Sequence, residues 1–304
     1  MVPLEIAREY FLSPLRSELA VELRRRGWDQ RGIARALGVT QAAVSKLLRG
    51  ARRGKLRGIG IDDLEVELLV TAAAGLIERG ELELASALVH RYWLLVSASG
   101  GACGKHREMG WALQGCAACA RALYPKLAPA RARALADLER AVVLAELSPN
   151  LAALVPEVFV NVARAAPGAT SLRDVAAVPG RLARVGERLV ARRRPRYGAS
   201  RHLAEVLLAS GHAACINVKY DSAVEKALGA LGFEKLVFSS EDYPEPNPAA
   251  AAVREARERG VLPKVAVDVG GRGVEPATYV FGGSAVEVVL AAERIARLVK
   301  SQPS

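Results

Sequence analysis

Two pairs of cysteine and histidine side chains in the middle of the chain have the spacing of metal ligands. Cys103 and His106 enclose two residues, and after nine further residues Cys116 and Cys119 enclose two more. A pair with this gap chelates one ion from a tight turn. The spacing therefore predicts a zinc site with these four residues as ligands. An iron–sulfur cluster and free cysteines beside small residues are the alternatives.

Three glycine-containing segments in the second half of the chain have the composition of ligand-binding loops. They are Pro179-Gly180-Arg181, residues 197–202 and residues 268–276. The second leads into a predicted helix, whose unpaired N–H groups attract an anion, and the third directly follows a predicted strand. The candidate binding residues in these segments are Arg181, Gly198, Ser200, Arg201, His202, Asp268, Gly270, Gly271 and Arg272. The basic run Arg192-Arg193-Arg194-Pro195-Arg196 precedes the second segment, and a solvated turn explains that run equally well.

Residues 30–47 have the pattern of a helix-turn-helix. Apolar residues recur one helical turn apart in each half of the segment, as at Ile33 and Leu37. Gly38 suits the end of the first helix, because glycine adopts a left-handed conformation at little cost. The second helix then presents a capping hydroxyl and short or polar groups suited to a DNA major groove. These candidate DNA-binding residues are Thr40, Gln41, Ala42, Ser45, Lys46 and Arg49. An ordinary helical hairpin is the alternative.

The charge distribution agrees with a nucleic-acid partner. The net charge is +11, and the first sixty residues hold 13 basic and 5 acidic residues, which places +8 of that excess there. A basic excess around a helix-turn-helix is typical of proteins that bind the phosphate backbone. One recognition helix reads few bases, so we expect double-stranded DNA as the partner of a homodimer.

Composition and hydropathy favour a folded protein of the cytoplasm. Apolar residues make up 51% and charged residues 25% of the chain, as in globular domains. The first ten residues carry three charges and lack an apolar core, so we expect no secretory leader. No uninterrupted apolar run is long enough to cross a membrane.

The positioning elements divide the chain into three predicted domains. Residues 1–58 form an all-α helix-turn-helix domain, residues 59–148 a helical linker region with the metal site, and residues 149–304 an α/β ligand-binding domain. Residues 50–60 are rich in Gly, Arg and Lys and lack an apolar period, which predicts a linker that also contributes charge. A basic arm lying along phosphates is the alternative. In the last domain, strands are predicted at 175–178, 217–220, 236–239, 265–269 and 277–281, and helices at 201–210, 222–231, 249–259 and 286–299.

From Leu151 to about Val299 the sequence resembles the ThiN domain, which occurs in archaeal-type thiamine-phosphate synthases and in thiamine-responsive regulators. The motifs that carry the resemblance follow one another in the family's order. They are Pro156-Glu157-Val158, Asn161-Val162, the run from Asp174 to Arg181, the run from Tyr197 to His202, Asn217 to Asp221, and the loop from Gly270 to Pro276. A helix-turn-helix joined to a ThiN domain is similar to the regulator branch, the ThiR-like proteins.

The resemblance implies a transcriptional regulator of thiamine genes that senses thiamine phosphate or diphosphate, and it leaves open whether the domain is also an enzyme. The alternative is a thiamine-phosphate synthase, a transferase that joins hydroxymethylpyrimidine diphosphate to thiazole phosphate. The synthase branch is marked by an arginine and a later histidine, which correspond to Arg181 and His202, whereas the regulator branch generally lacks this histidine. Lys219 and Arg272 are then supporting cations. Contacts with the pyrimidine, the thiazole or a magnesium ion are expected from Asn217, Asp221 and Asp268.

Overall fold

The computed structural model describes residues 4–50, 53–110 and 114–302. It separates into two compact units, Met1–Arg133 and Ala134–Ser304. The three predicted domain boundaries are not tested by this division and stay a prediction. Among the described residues, no helix is long and apolar enough to cross a membrane.

The first unit is helical. Its helices are α1 (Leu4–Ile6), which continues through a wide helical turn (Ala7–Leu12) into α2 (Ser13–Arg25), then α3 (Gln30–Leu37), α4 (Gln41–Leu48), α5 (Arg53–Arg57), α6 (Asp63–Glu78), α7 (Leu82–Ser99), α8 (Cys103–Glu108) and α9 (Ala118–Leu123). Helix α10 (Pro129–Leu147) runs across the division between the units. Large side chains such as Phe11, Leu23 and Tyr92 are fully buried and form the core of this unit.

Helices α3 and α4 form as the sequence predicts. Gly38 ends α3 in the left-handed region with φ of 62°. The hydroxyl of Thr40 accepts a hydrogen bond from the Ala43 amide (3.2 Å) and caps α4. Ile33 and Val44 are fully buried where the two helices pack. The geometry shows a helical pair joined by a short turn, and it carries no information about a partner.

The expectation that residues 50–60 lack an apolar period is wrong, because this predicted linker contains a helix. Residues 51 and 52 lie outside the described residues, but α5 follows directly, with Leu56 buried. Its basic residues make ion pairs within the unit: Arg53 with Glu18 (2.9 Å), Lys55 with Glu9 (2.8 Å) and Arg57 with Asp63 (2.5 Å). The apolar period of this segment was hidden by its glycines and arginines. Part of the basic excess is therefore paired.

The second unit is an α/β domain with a mixed sheet. Its strands are β1 (Asn161–Ala165), β2 (Val175–Ala177), β3 (Leu182–Val185), β4 (Arg188–Ala191), β5 (Arg196–Tyr197), β6 (Ala214–Lys219), β7 (Lys235–Phe238), β8 (Val265–Asp268) and β9 (Ala277–Gly282). Its helices are α11 (Arg201–Ser210), α12 (Ser222–Ala230), α13 (Pro248–Glu258) and α14 (Ala285–Ser301). A helical region followed by an α/β domain confirms the predicted fold class at this level.

Seven strands form one sheet in the order β5-β2-β1-β6-β9-β8-β7, and β3 and β4 form a separate hairpin. Within the main sheet only β7 and β8 are parallel. Ala163, Cys215 and Phe281 are paired across β1, β6 and β9, and they share a core with residues of α11 and α13. Helix α14 contacts β6 and β9 and also packs with α12. Because successive residues of a strand point to opposite faces, the register identifies which polar residues lie on the α11 side.

Candidate active site

A hydrogen-bonded histidine and tyrosine lie at the start of α11. The hydroxyl of Ser200 accepts from the Leu203 amide (3.4 Å) and caps this helix, so His202 falls in its first turn. The Nε2 atom of His202 is 2.9 Å from the hydroxyl of Tyr279 on β9. Tyr279 is 5% exposed, whereas His202 is open to solvent. Within the pair, Tyr279 is therefore the fixed, buried member and His202 is the one that a substrate can reach.

The surroundings favour the neutral form of both side chains. Desolvation by neighbouring atoms lowers the pKa of His202, and the positive charge of Arg181 lowers it further, against the opposing charges of Glu205 and Asp268. Burial raises the pKa of Tyr279, and the charge of Asp268 adds to this effect. At neutral pH the contact thus joins a neutral imidazole to a protonated phenol. These effects also place Arg181 and Asp268 within electrostatic reach of the pair.

The register of the sheet gathers five polar side chains on one face. Asn161, Asn217 and Tyr279 are paired directly across β1, β6 and β9. Lys219 and Asp268 are both paired with Ala277, two residues before Tyr279. Directly paired residues project from the same face, as do residues two apart. All five side chains therefore project from the face on which α11 packs.

The two asparagines hold the backbone of the neighbouring loops. The Asn217 side chain accepts from the Asn161 amide (2.8 Å) and donates to the Phe159 carbonyl (3.0 Å). The Asn161 side chain donates to the carbonyl of Val178 and accepts from its amide, both at 3.1 Å. Both groups of the Asn217 amide are thus engaged with backbone, and its direct contact with a ligand stays a prediction. Its evident role is to fix residues 159–161, directly after the Val158 carbonyl that accepts from the Arg181 guanidinium.

Arg181 occupies an unusual backbone conformation. Its φ is 66° and that of Phe159 is 63°, a region that non-glycine residues rarely adopt. The Arg181 guanidinium donates to the Val158 carbonyl, which ties the two segments together. The Glu275 carboxylate accepts from the amides of Glu157 (2.8 Å) and Val158 (3.3 Å). Local strain of this kind persists where the surroundings fix it, which is common at binding sites.

The loop after β8 is closed by Asp268. Its Oδ1 atom accepts from the amides of Gly270 (2.9 Å) and Ser240 (3.1 Å), and its other oxygen accepts from the Ser240 hydroxyl. Gly270 has φ of 86°, and a Cβ there would lie 2.7 Å from the Val274 carbonyl oxygen. At Gly271 a Cβ would lie 2.6 Å from the Glu241 side chain. The loop is therefore packed so closely that both positions require glycine.

The remaining candidate residues of this domain are paired or exposed. Lys219 makes an ion pair with Asp221 at 2.8 Å, and Asp221 also caps α12. Burial alone would raise the pKa of Asp221, but the hydrogen bond from Lys219 contributes to lowering it. Arg201 is exposed and pairs with Glu205 at 2.8 Å. Gly198 turns with φ of 69°, and the Arg272 side chain is exposed.

The candidate magnesium ligands do not present free carboxylates. Both oxygens of Asp268 accept hydrogen bonds from the protein, and Asp221 is occupied by Lys219 and the α12 amides. A divalent cation would have to displace these partners. The residues do not fit a ready-made magnesium site, and the magnesium expectation stays a prediction.

The predicted zinc ligands lie on α8 and α9 and in the segment before α9. Burial raises the pKa of the Cys119 thiol, and Cys103 and Cys116 are close enough to raise it further. Burial lowers the pKa of His106, and the charge of Glu5 opposes this effect, whereas none of the thiols contributes to it. Within residues 4–50, 53–110 and 114–302, no group of three or more His, Cys, Asp or Glu side chains could hold a metal ion. The zinc site stays a prediction, which elemental analysis of purified protein decides.

On α4, part of the predicted DNA-binding surface is occupied by contacts within the unit. The Ser45 hydroxyl donates to the Gln30 side chain (3.1 Å), and Arg49 donates to the Ser45 carbonyl (3.1 Å). Gln41, Ala42 and Lys46 are exposed.

The first unit also contains a cavity of about 770 Å³, bounded mainly by apolar side chains of several helices. Arg16 and His90 are the charged or titratable side chains at its wall besides Cys119. A cavity of this size suits a small molecule, but its wall lacks a grouping for acid–base or phosphate chemistry. The residues suited to such chemistry lie in the second unit, around His202.

Comparison with known proteins identifies the second unit. The family model described as "Thiamine-phosphate synthase ThiN" matches residues 137–294, more than half of the chain. This chain belongs to the ThiN family. The match covers the whole candidate site, from Asn161 to Tyr279.

Two curated proteins are similar to the ThiN domain. The bifunctional thiamine biosynthesis protein ThiDN of Methanocaldococcus jannaschii is 32% identical over 163 residues, which are 48% of this chain but only 36% of that protein. The thiamine-phosphate synthase ThiN of Methanothermobacter thermautotrophicus is 32% identical over 180 residues, 54% of this chain and 93% of that protein. The crystal structure of the C-terminal domain of protein MJ0236 is similar with a TM-score of 0.52 at 29% identity, covering 56% of this chain and 96% of that chain.

These relatives overturn the interpretation as a regulator. Both are named for thiamine biosynthesis, one of them as a synthase and neither as a transcription factor. The assignments of transcriptional regulation and of DNA as partner are therefore wrong, and the synthase alternative agrees with the relatives. The homodimer expectation, which was based on paired DNA half-sites, loses that basis. The helical pattern and basic charge were real features of the first unit, but they did not specify a partner.

Proposed function

We propose that the ThiN domain is a thiamine-phosphate synthase, a transferase that joins hydroxymethylpyrimidine diphosphate to thiazole phosphate. The observation that carries the proposal is the proximity of Arg181 and His202, the two residues that mark the synthase branch. Arg181, in the turn between β2 and β3, is within electrostatic reach of His202 in the first turn of α11, and its positive charge lowers the pKa of that histidine. The names of the relatives support the same activity.

In this reaction the ring nitrogen of the thiazole forms a bond to the methylene carbon of the pyrimidine. The bond from that carbon to the diphosphate oxygen breaks, and the pyrophosphate leaves with the electron pair. Negative charge therefore grows on the leaving oxygen. Arg181, anchored through the Val158 carbonyl, would stabilise this charge by charge-assisted hydrogen bonds.

His202 would donate a hydrogen bond, or a proton, to the departing pyrophosphate. Its lowered pKa keeps the ring neutral at pH 7, so one ring nitrogen carries the proton and the other accepts. If the Tyr279 hydroxyl donates to Nε2, the proton resides on Nδ1, which is then free to face the substrate. Tyr279 is accordingly a positioning residue, since it fixes the ring and one of its nitrogens.

The test is a synthase assay on the full chain with both substrates, in which thiamine phosphate and pyrophosphate are measured. We expect product from the parent, and a decrease in kcat of about a hundredfold or more in His202→Ala and Arg181→Ala. His90→Ala and Arg254→Ala are matched controls, because His90 is an exposed residue of α7 and Arg254 pairs with Glu245 on the surface of α13. A folded parent that forms no product above background, with or without added magnesium, would refute the proposal.

A further inference from the structure

The chain from residue 181 to residue 196 holds seven arginines and one glutamate, and the proposed chemistry uses only Arg181. The segment forms β3, β4 and the approach to β5. This concentration of like charge repels itself unless an anion is present. The excess of arginines in this segment therefore requires a structural or functional explanation.

The separate hairpin of β3 and β4 continues the pairing of β2 with β5 after an interruption on each side. Ala177 of β2 pairs with Arg196 of β5, and Leu182 of β3 pairs with Ala191 of β4. Residues 178–181 and 192–195 thus lie between the same two rungs and have the same length, so the register is unchanged across the gap. Arg181 directly precedes Leu182 and Arg192 directly follows Ala191, so the two arginines flank the same rung.

Prolines account for the interruption. Pro179 lies in one of the two opposing segments and Pro195 in the other, and neither has an N–H to donate to a ladder. The Arg181 amide instead donates to the Val178 carbonyl (3.2 Å) in a tight turn. Since both strands resume pairing after four residues, the arginine run stays beside the loop that carries Arg181.

The arginines of this run have unneutralised charge. Arg192, Arg193 and Arg194 are all exposed. In the described part of the chain their side chains make no ion pair or hydrogen bond, whereas the basic residues of α5 are paired. Guanidinium groups bind phosphate oxygens in a bidentate manner, and a diphosphate offers more oxygens than one arginine can satisfy.

We propose that Arg192, Arg193 and Arg194 form, together with Arg181, the binding site for the diphosphate group of the substrate and for the pyrophosphate product. This inference rests on the proposed function and extends its binding machinery across the ladder. Arg181 reaches the reacting end of the site, near His202, whereas the run 192–194 holds the outer phosphate. Removing the three arginines of the run should therefore weaken the binding of the diphosphate group strongly and slow the chemical step only slightly.

The experiment is titration calorimetry of the full chain with inorganic pyrophosphate, and separately with inorganic phosphate. The test variant is the triple Arg192→Gln, Arg193→Gln, Arg194→Gln. We expect its Kd for pyrophosphate to rise about tenfold or more, because hydrogen bonds to charged groups are each worth at least one tenfold step. The KM for the pyrimidine diphosphate should rise similarly, with a smaller change in kcat.

Two controls separate specific binding from general charge. The first control is the double variant Arg184→Gln, Arg188→Gln. It removes charge near the far end of the same ladder, where β3 and β4 are regularly paired. The Kd for pyrophosphate should change less than twofold. Replacing all three residues of the run with lysine keeps the charge but removes the bidentate fork, and should give an intermediate Kd. Unchanged thermal unfolding of the glutamine triple confirms that it is folded.

The outcomes distinguish this inference from the proposed function. If the parent makes thiamine phosphate and the glutamine triple keeps both its pyrophosphate affinity and its KM, the arginine site is refuted while the synthase stands. If the triple loses pyrophosphate affinity but the parent makes no product, the anion site stands and the synthase is refuted. A loss of affinity equal to that of the far-end control also refutes the site, because only net charge is then involved.

Discussion

The Nε2 atom of His202 lies 2.9 Å from the hydroxyl of Tyr279, and this contact joins the first turn of α11 to a central strand of the sheet. The buried partner belongs to the same row of the sheet as Asn161 and Asn217. Asn161 holds Val178, in the loop before Arg181, and Asn217 holds the Asn161 amide in turn. A rigid row of the sheet therefore positions both groups of the proposed chemistry. Mutation of the row should change the geometry of the site without removing a reacting group.

Tyr279→Phe removes the hydroxyl and keeps the ring. Without this partner the imidazole can rotate, and we expect kcat of the synthase reaction to fall about ten- to a hundredfold, with little change in KM. Tyr243→Phe is the matched control, because its hydroxyl bonds to Glu255 at 2.6 Å on α13, away from His202. Equal losses in both variants, or a loss confined to KM, would contradict the positioning role.

The lowered pKa of His202 predicts how the free energy of unfolding changes with pH. Its folded pKa is lowered below the ordinary value, so as pH falls below about 6.5 the unfolded chain takes up a proton before the folded chain does. The free energy of unfolding should therefore decrease as pH falls from 7 to 5. His106 and His212 have pKa values lowered by burial and contribute in the same direction.

Urea unfolding at pH 7 and pH 5 checks this expectation. His202→Gln cannot take up the proton, so it should lose less stability between the two pH values than the parent. If His202→Gln and the parent lose the same amount, the environment of His202 in the folded state is not the one described.

Asn217→Ala separates a structural role from ligand contact. Asn217 is 8% exposed, and its loss leaves the Asn161 amide and the Phe159 carbonyl without their partners. We expect the free energy of unfolding to fall by about 2–4 kcal/mol, since each unsatisfied buried group costs about 1–3 kcal/mol. Denaturant unfolding without ligand measures this change. A variant as stable as the parent but weaker in substrate binding would make Asn217 a ligand contact instead.

Sequence patterns predicted the elements of the second unit better than its site. Strands β6 to β9 were predicted from short runs that contain β-branched or aromatic residues, and those of β8 and β9 are buried throughout. Strand β1 was missed because Asn161-Val-Ala-Arg-Ala mixes small and charged residues, and it is recognisable only once its neighbours are in place. The hairpin of β3 and β4 was missed because arginines alternate there with exposed valines.

The partners of the candidate residues could not be read from local spacing. His202 and Tyr279 are 77 residues apart, and they meet only because β9 lies between β6 and β8. Tyr279 falls in a predicted strand, where an aromatic residue is most simply core. The arginine and histidine that mark the synthase branch were found through the resemblance. The error over function came from weighting the first unit's helices and charge above that histidine.

Gly270→Ala tests the closed loop after β8. The substitution places a Cβ at φ of 86° and only 2.7 Å from the Val274 carbonyl oxygen, so backbone must move. Gly273→Ala in the same loop is the matched control, because φ is 75° but no atom lies within 4 Å of its added Cβ. The control should lose only the cost of the left-handed conformation, about 1–2 kcal/mol in the free energy of unfolding.

Gly270→Ala should lose more stability than the control. It should also lower kcat, because the Gly270 amide hydrogen bond holds Asp268 beside the histidine and tyrosine. Equal losses of stability and activity in the two variants would show that the close approach to Val274 has no consequence for the site.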